Sequence, residues 1–133
     1  MSNPLTGLHT AVIAALEAHP VLNAAGVRVF DGAPERSTYP YVVISDGLVT
    51  DWSTKTAVGR DVRLALTLWD DGQEADRTHA LMGAMTEAVA ALPATVPGWQ
   101  IIACSFIRSL IARDADGPWA GLVEHRVRMM ALG

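Results

Sequence analysis

"DVRLALTLWD", residues 61–70, alternates without a break: Val62, Leu64, Leu66 and Leu68 face one way, and Arg63, Ala65, Thr67 and Trp69 face the other. A period of two over this length is a β-strand with one buried face. The second face is only half polar, so it too is expected to be partly covered. Something apolar must lie against the Val/Leu side, and the flanking sequence supplies it. Residues 4–18 carry Leu5, Leu8, Val12 and Leu16 at spacings of three and four, the stripe of an amphipathic helix. Asn3 can cap that helix, Pro4 suits its first position because the missing N–H has no partner there anyway, and Pro20 is read as its stop. Residues 72–92 carry a second stripe of Ala75, Thr78, Met82, Met85, Val89 and Leu92. Asp70 or Asp71 is expected to cap it, Glu74 suits the positive end of its dipole, and Pro93 ends it.

Four further strands surround this centre. "VRVF" at 27–30 and "YVVIS" at 41–45 are separated by "DGAPERSTYP", a loop by its Asp-Gly and proline chemistry. The 41–45 run is continuously apolar, as in a strand covered on both faces. Asp46 and Gly47 bend it or form a bulge. Residues 99–112 and 119–131 are joined by "DADGP", a turn. In the last strand Val123, His125, Val127 and Met129 oppose Glu124, Arg126 and Arg128. The order α-β-β-β-α-β-β, with neighbours on short loops pairing antiparallel, predicts one α+β domain over residues 1–133. It is a mostly antiparallel sheet with two amphipathic helices on one face. The other face, or a sheet edge, is left for association.

Composition narrows the functional classes. Half of the 133 residues are hydrophobic, ample for one core, but the apolar total leans on Ala and Val. Such a core is thin per residue, which favours help from a partner subunit. A net charge of -4, with the ten Lys and Arg scattered along the chain, argues against a dedicated nucleic-acid binder. The lone Cys104 excludes an internal disulfide and fits cytosolic assembly. No basic segment precedes the first apolar residues, so no signal peptide is expected, and no apolar run is long enough to cross a bilayer.

The residue types that carry chemistry do not converge. His9, His19, His79 and His125 keep no recurrent ligand spacing with Cys, Asp or Glu. His125, on the apolar side of the last strand, reads as a core or interface histidine with one hydrogen bond, or else as a buried acid–base group. Cys104 reads as a buried inert thiol. "DADG" lacks the later ligands of a calcium loop. Asp70-Asp71 is explained by capping before metal binding. There is no glycine-rich phosphate loop and no nucleophile elbow. No catalytic, cofactor or metal residue is proposed, and the chain is expected not to be an enzyme.

One segment stands out. "TDWSTKTAVGRD", residues 50–61, places Trp52 among Thr, Asp, Ser and Lys, where no period buries it. Either Trp52 folds back onto its own sheet, or the segment is an arm for another chain. A hairpin with about five residues per limb reaches ~15 Å. A tryptophan's ~150–250 Å² of surface is then a substantial driving force for burial. Interface cores are enriched in Trp and depleted in Lys, which favours the arm and puts Lys55 on its rim. The candidate interface residues are Asp51, Trp52, Ser53, Thr54, Lys55, Thr56 and Val58.

"VRVFDGAPERSTYPYVVISD" at 27–46, "DWSTK" at 51–55, "LTLWDD" at 66–71 and the closing "RDADGPWAGLVEHRVRM" at 113–129, where a Trp and a Gly open the final strand, together resemble the tail terminator or tail-completion proteins of long-tailed phages and gene transfer agents. The resemblance runs from the first helix to about residue 130. It implies a homohexameric ring that caps the tail tube at its final length and joins it to the head connector, with DNA passing through the hole without specific binding. Its partners would be the tail tube protein and a head-closure or connector protein. Its place would be the virion, after assembly in the host cytoplasm, and 51–56 would be the loop reaching a neighbouring subunit or ring. A head-closure stopper or adaptor, and a small cytosolic ligand-binding or enzymatic domain, are the alternatives.

Overall fold

A computed structural model describes residues 3–45, 47–113 and 115–133. Asp46 of the expected bend and Asp114 of the expected turn lie outside the described residues. In chain order the elements are α1 (Pro4–Ala18), α2 (Pro20–Ala24), β1 (Arg28–Asp31), β2 (Tyr41–Ser45), β3 (Val49–Asp51), β4 (Gly59–Asp70), α3 (Ala75–Ala90), β5 (Thr95–Val96), β6 (Trp99–Arg113) and β7 (Trp119–Ala131). One sheet runs β1-β2-β4-β7-β6-β5, with β3 also paired to β4. The architecture is the expected α+β, with three short elements added.

β4 organises the molecule. Val62, Leu64, Leu66 and Leu68 are all buried, and the side chains between them are half-buried. Against the buried side pack Leu8, Val12 and Leu16 of α1 and Leu81, Met85, Ala88 and Val89 of α3, with Val123, Val127 and Met129 of β7 alongside. Asn3 caps α1 as expected, its Oδ1 accepting from the Leu5 N–H at 2.8 Å. Pro20 does end α1, but it also opens α2 as that helix's first residue. His19 caps α2 by accepting the Val21 N–H on Nδ1.

One pairing departs from local expectation. β1 and β2 lie parallel, because the loop between them is long enough to carry the chain back to its starting end. Between the Ser45–Ala65 and Val49–Val62 pairs the register shifts by one residue, so β3 continues the line of β2 across a bulge at Gly47.

The start of α3 corrects another expectation. The capping position is Glu74, which makes no side-chain cap bond, and the helix begins at Ala75. Asp70 does not cap the helix. As the next residue in the buried phase of β4 it points inward, where it is fully buried. There it accepts from Arg77, from Thr78 Oγ1 at 3.0 Å and from the Gly72 N–H at 3.2 Å. Burial alone would raise its pKa. The hydrogen bonds and the Arg77 charge outweigh burial and hold the carboxyl below the usual Asp value. Trp119 Nε1 and Arg113 Nη1 donate to the carbonyls of Gly72 and Gln73, fastening the same loop from the far strands.

Candidate assembly interface

The 50–61 segment is a hairpin, built by its own polar residues. β3 pairs with β4 through Asp51–Arg60, and the Trp52 N–H donates to the Gly59 carbonyl at 2.9 Å. The Ser53 hydroxyl donates to Asp51 and accepts from the Gly59 N–H, and Thr54 Oγ1 accepts from the N–H groups of Thr56 and Ala57. Lys55 and Thr56 are exposed at the tip, while Val58 packs on the core. Asp51 meets Arg60 at 3.0 Å.

The projection is shorter than expected. β7 accompanies β4 as far as the bond from the Ala131 N–H to the Val58 carbonyl, so only the turn around 53–57 passes the end of the sheet. Trp52 is half-buried, and its ring lies 5.2 Å from the Arg128 guanidinium. It therefore folds back in part, across the helix-free sheet face.

That face shows what the sequence reading missed. Register brings Arg63, Arg108, Arg126 and Arg128 together around Asp61 and Glu124. Glu124 meets Arg108 at 3.3 Å and Arg63 at 3.6 Å, and Asp61 meets Arg128 at 3.2 Å and Arg126 at 3.4 Å. Four guanidinium groups over two carboxylates leave a net positive surface on an acidic protein. The arginines are scattered in sequence but clustered in space. The alternation Glu124, Arg126, Arg128 opposite Arg63 was the available signal, and only the β4–β7 register reveals it.

The residues weighed for chemistry are placed as follows. His9 Nδ1 lies 3.0 Å from Asp31, and His19 Nε2 lies 2.9 Å from Glu87. Cys104 is half-buried, and burial pushes its thiol pKa up. His125 is 2% exposed, packs edge-on against Phe106 and leaves Nδ1 without a hydrogen bond. Burial pushes its pKa down. The unfolded chain therefore binds more protons below the ordinary His value near 6.5, and stability falls as pH drops from there. His125→Leu is expected to flatten the loss of stability between about pH 7 and 5, as urea unfolding across that range would show. Among the described residues no three His, Cys, Asp or Glu side chains stand together as a metal site.

The family model described as tail completion protein gp17 matches residues 10–131. The chain belongs to the tail completion protein gp17 family. A curated member, tail completion protein gp17 of Bacillus phage SPP1, is 24% identical over 110 residues, covering 83% of this chain and 81% of that protein. The fold of this gp17-family chain matches one in the structure of a native gene transfer agent virion, with a TM-score of 0.86 and 23% identity over 98% of this chain and 100% of the other. It also matches the bacteriophage SPP1 gp17 structure, with a TM-score of 0.58 and 20% identity over 96% and 90%. Family and fold are those that the strand and turn motifs resembled. The gp17-family sheet has helices on one side and arginines on the other, and its hairpin tip stands at one end.

Proposed function

We propose that this chain is a structural virion protein: a tail terminator that forms a homohexameric ring, caps the tail tube at its final length and joins it to the head connector. The observation that carries this reading is the family match over residues 10–131. The chemistry supports it. Asp70 is occupied by Arg77 and Thr78, and His19 by Glu87, while His125 is buried against Phe106. We read the protein as non-enzymatic and as working in the virion.

DNA passing through the ring should slide, not bind. A chain of net charge -4 suits this, because clustered cations would hold the phosphates. The reading therefore turns the arginine-bearing sheet face away from the lumen, toward another protein. A cyclic ring uses two different patches per subunit. The hairpin residues Asp51, Trp52, Ser53, Thr54, Lys55, Thr56 and Val58 are proposed as part of one of them.

Trp52→Ala tests the hairpin's part. Its effect on the isolated chain should be small, about 0.5–1 kcal/mol for the stacking on Arg128. Its effect on assembly should be larger, seen as weaker ring formation by light scattering and poorer joining of tails to heads. Unchanged assembly and joining would remove the hairpin from the interface. Electron micrographs of the protein with tail tubes test the ring itself.

A further inference from the structure

β6 is the longest strand, and β5 covers only Trp99 and Gln100 on its outer side. Among the described residues, it pairs from Ile102 to Arg113 with β7 alone. Two register shifts, between Ile101 and Ala103 and between Phe106 and Arg108, bend it in the way that protects a free edge from indiscriminate pairing. Large apolar side chains remain exposed along it all the same: Phe106 at 52%, Ile102, and Leu110 at 56%, the last on the opposite face of the strand, across from Leu122. Next to Phe106, a hollow of about 330 Å³ opens toward α3, lined also by Met82, Gly83 and Val123.

The opposite edge of the same sheet is also open. Among the described residues β3 pairs only with β4, and Leu48 before it, at 65% exposure, and Val49 within it, at 36%, are exposed. Val49 sits opposite buried Val62, and Phe106 opposite buried His125. Both therefore lie on the helix-covered side of the sheet. The charged residues of the two edges are already paired within the chain, Asp51 with Arg60 and Arg108 with Glu124, so the apolar side chains are what each edge leaves for a partner.

We propose that β6 receives β3 of a second copy by strand addition. Leu48 and Val49 meet Phe106 and the hollow beside it, and the sheet continues from subunit to subunit. The two patches differ, so the contact is head-to-tail and can close into a ring. This inference deepens the ring reading and rests on it.

The test uses Val49→Asp and Phe106→Asp, each blocking one edge, with Leu110→Asp as a second β6 variant less tied to the packing of His125. Each folded variant alone should assemble about thirty-fold more weakly than wild type, the loss of one well-packed anchor. An equimolar mixture of a β3-blocked and a β6-blocked variant should stop at a heterodimer by light scattering, since only one intact edge of each kind remains. Variants that form wild-type rings, or a β3-blocked chain that assembles normally while the β6-blocked chains do not, overturn the strand addition and leave the ring reading standing. A wild-type chain that stays monomeric both alone and on tail tubes overturns both.

Discussion

Gly47→Val is expected to lower stability by about 2–4 kcal/mol, seen as a lower urea midpoint with an unchanged slope. A Cβ at position 47 would overlap the carbonyl oxygen of Arg63 and lie 2.7 Å from its carbon. The obstacle is backbone, and it has no room to retreat, because β4 is fixed on its other side by β7 from Gly59 to Asp70. The bulge must open instead. The bond from the Arg63 N–H to the Leu48 carbonyl, 2.8 Å, is then lost, and β3 loosens from the sheet. The control is Gly121→Ala. Its nearest obstacle is Met82 Sδ at 2.6 Å, the flexible end of a side chain that can turn aside, so the cost should stay under about 1 kcal/mol. Equal losses from the two substitutions would refute the distinction between a backbone and a side-chain obstacle. Because β3 carries the hairpin, Gly47→Val should impair assembly even below its melting temperature.

Asp70→Asn is expected to cost about 1–3 kcal/mol near neutral pH. The carboxylate is fully buried and holds Arg77, Thr78 and the Gly72 amide together, whereas a neutral amide offers one acceptor oxygen where the site uses two. The value lies below that for a fully buried ion pair because about half of the Arg77 side chain is in water, where screening weakens the attraction. The pH dependence has a definite sign. The folded pKa of Asp70 lies below the unfolded value of about 3.9, so the stabilisation is present above that value and is lost as pH falls through the folded pKa. The advantage of wild type over Asp70→Asn should be constant from neutral pH to about 5 and vanish in stronger acid. A difference that persists unchanged into strong acid would show that the charge of Asp70 is not what holds the loop.

The contrast between Asp70 and Trp52 shows how far the sequence could be read. Its place before a helix makes Asp70, or Asp71, an expected cap. The alternation of Val62, Leu64, Leu66 and Leu68, continued one step, already placed Asp70 inside. For Trp52 the composition of its neighbours left two readings open, and what decided its position, the Arg128 guanidinium, comes from β7, far along the chain. The arginine cluster is a similar case, since its members lie on three strands.

The sequence by itself determined the long elements, their order and the family. α1, α3, β2, β4, β6 and β7 each carry a period or an apolar run long enough to read, and proline and glycine mark their ends. β3 and β5, at three and two residues, are too short to show any period. Tertiary structure alone decided the parallel β1–β2 pair, the pairing of the short β3 with β4 and the place of β6 at an edge. The sequence marks β6 as a strand, but its apolar residues do not say whether a neighbour covers them. Periodicity is a local property, set by how one element meets a surface. Which elements become neighbours is set by pairings between distant residues, and those pairings create the edges and the charged face from which an assembly is built.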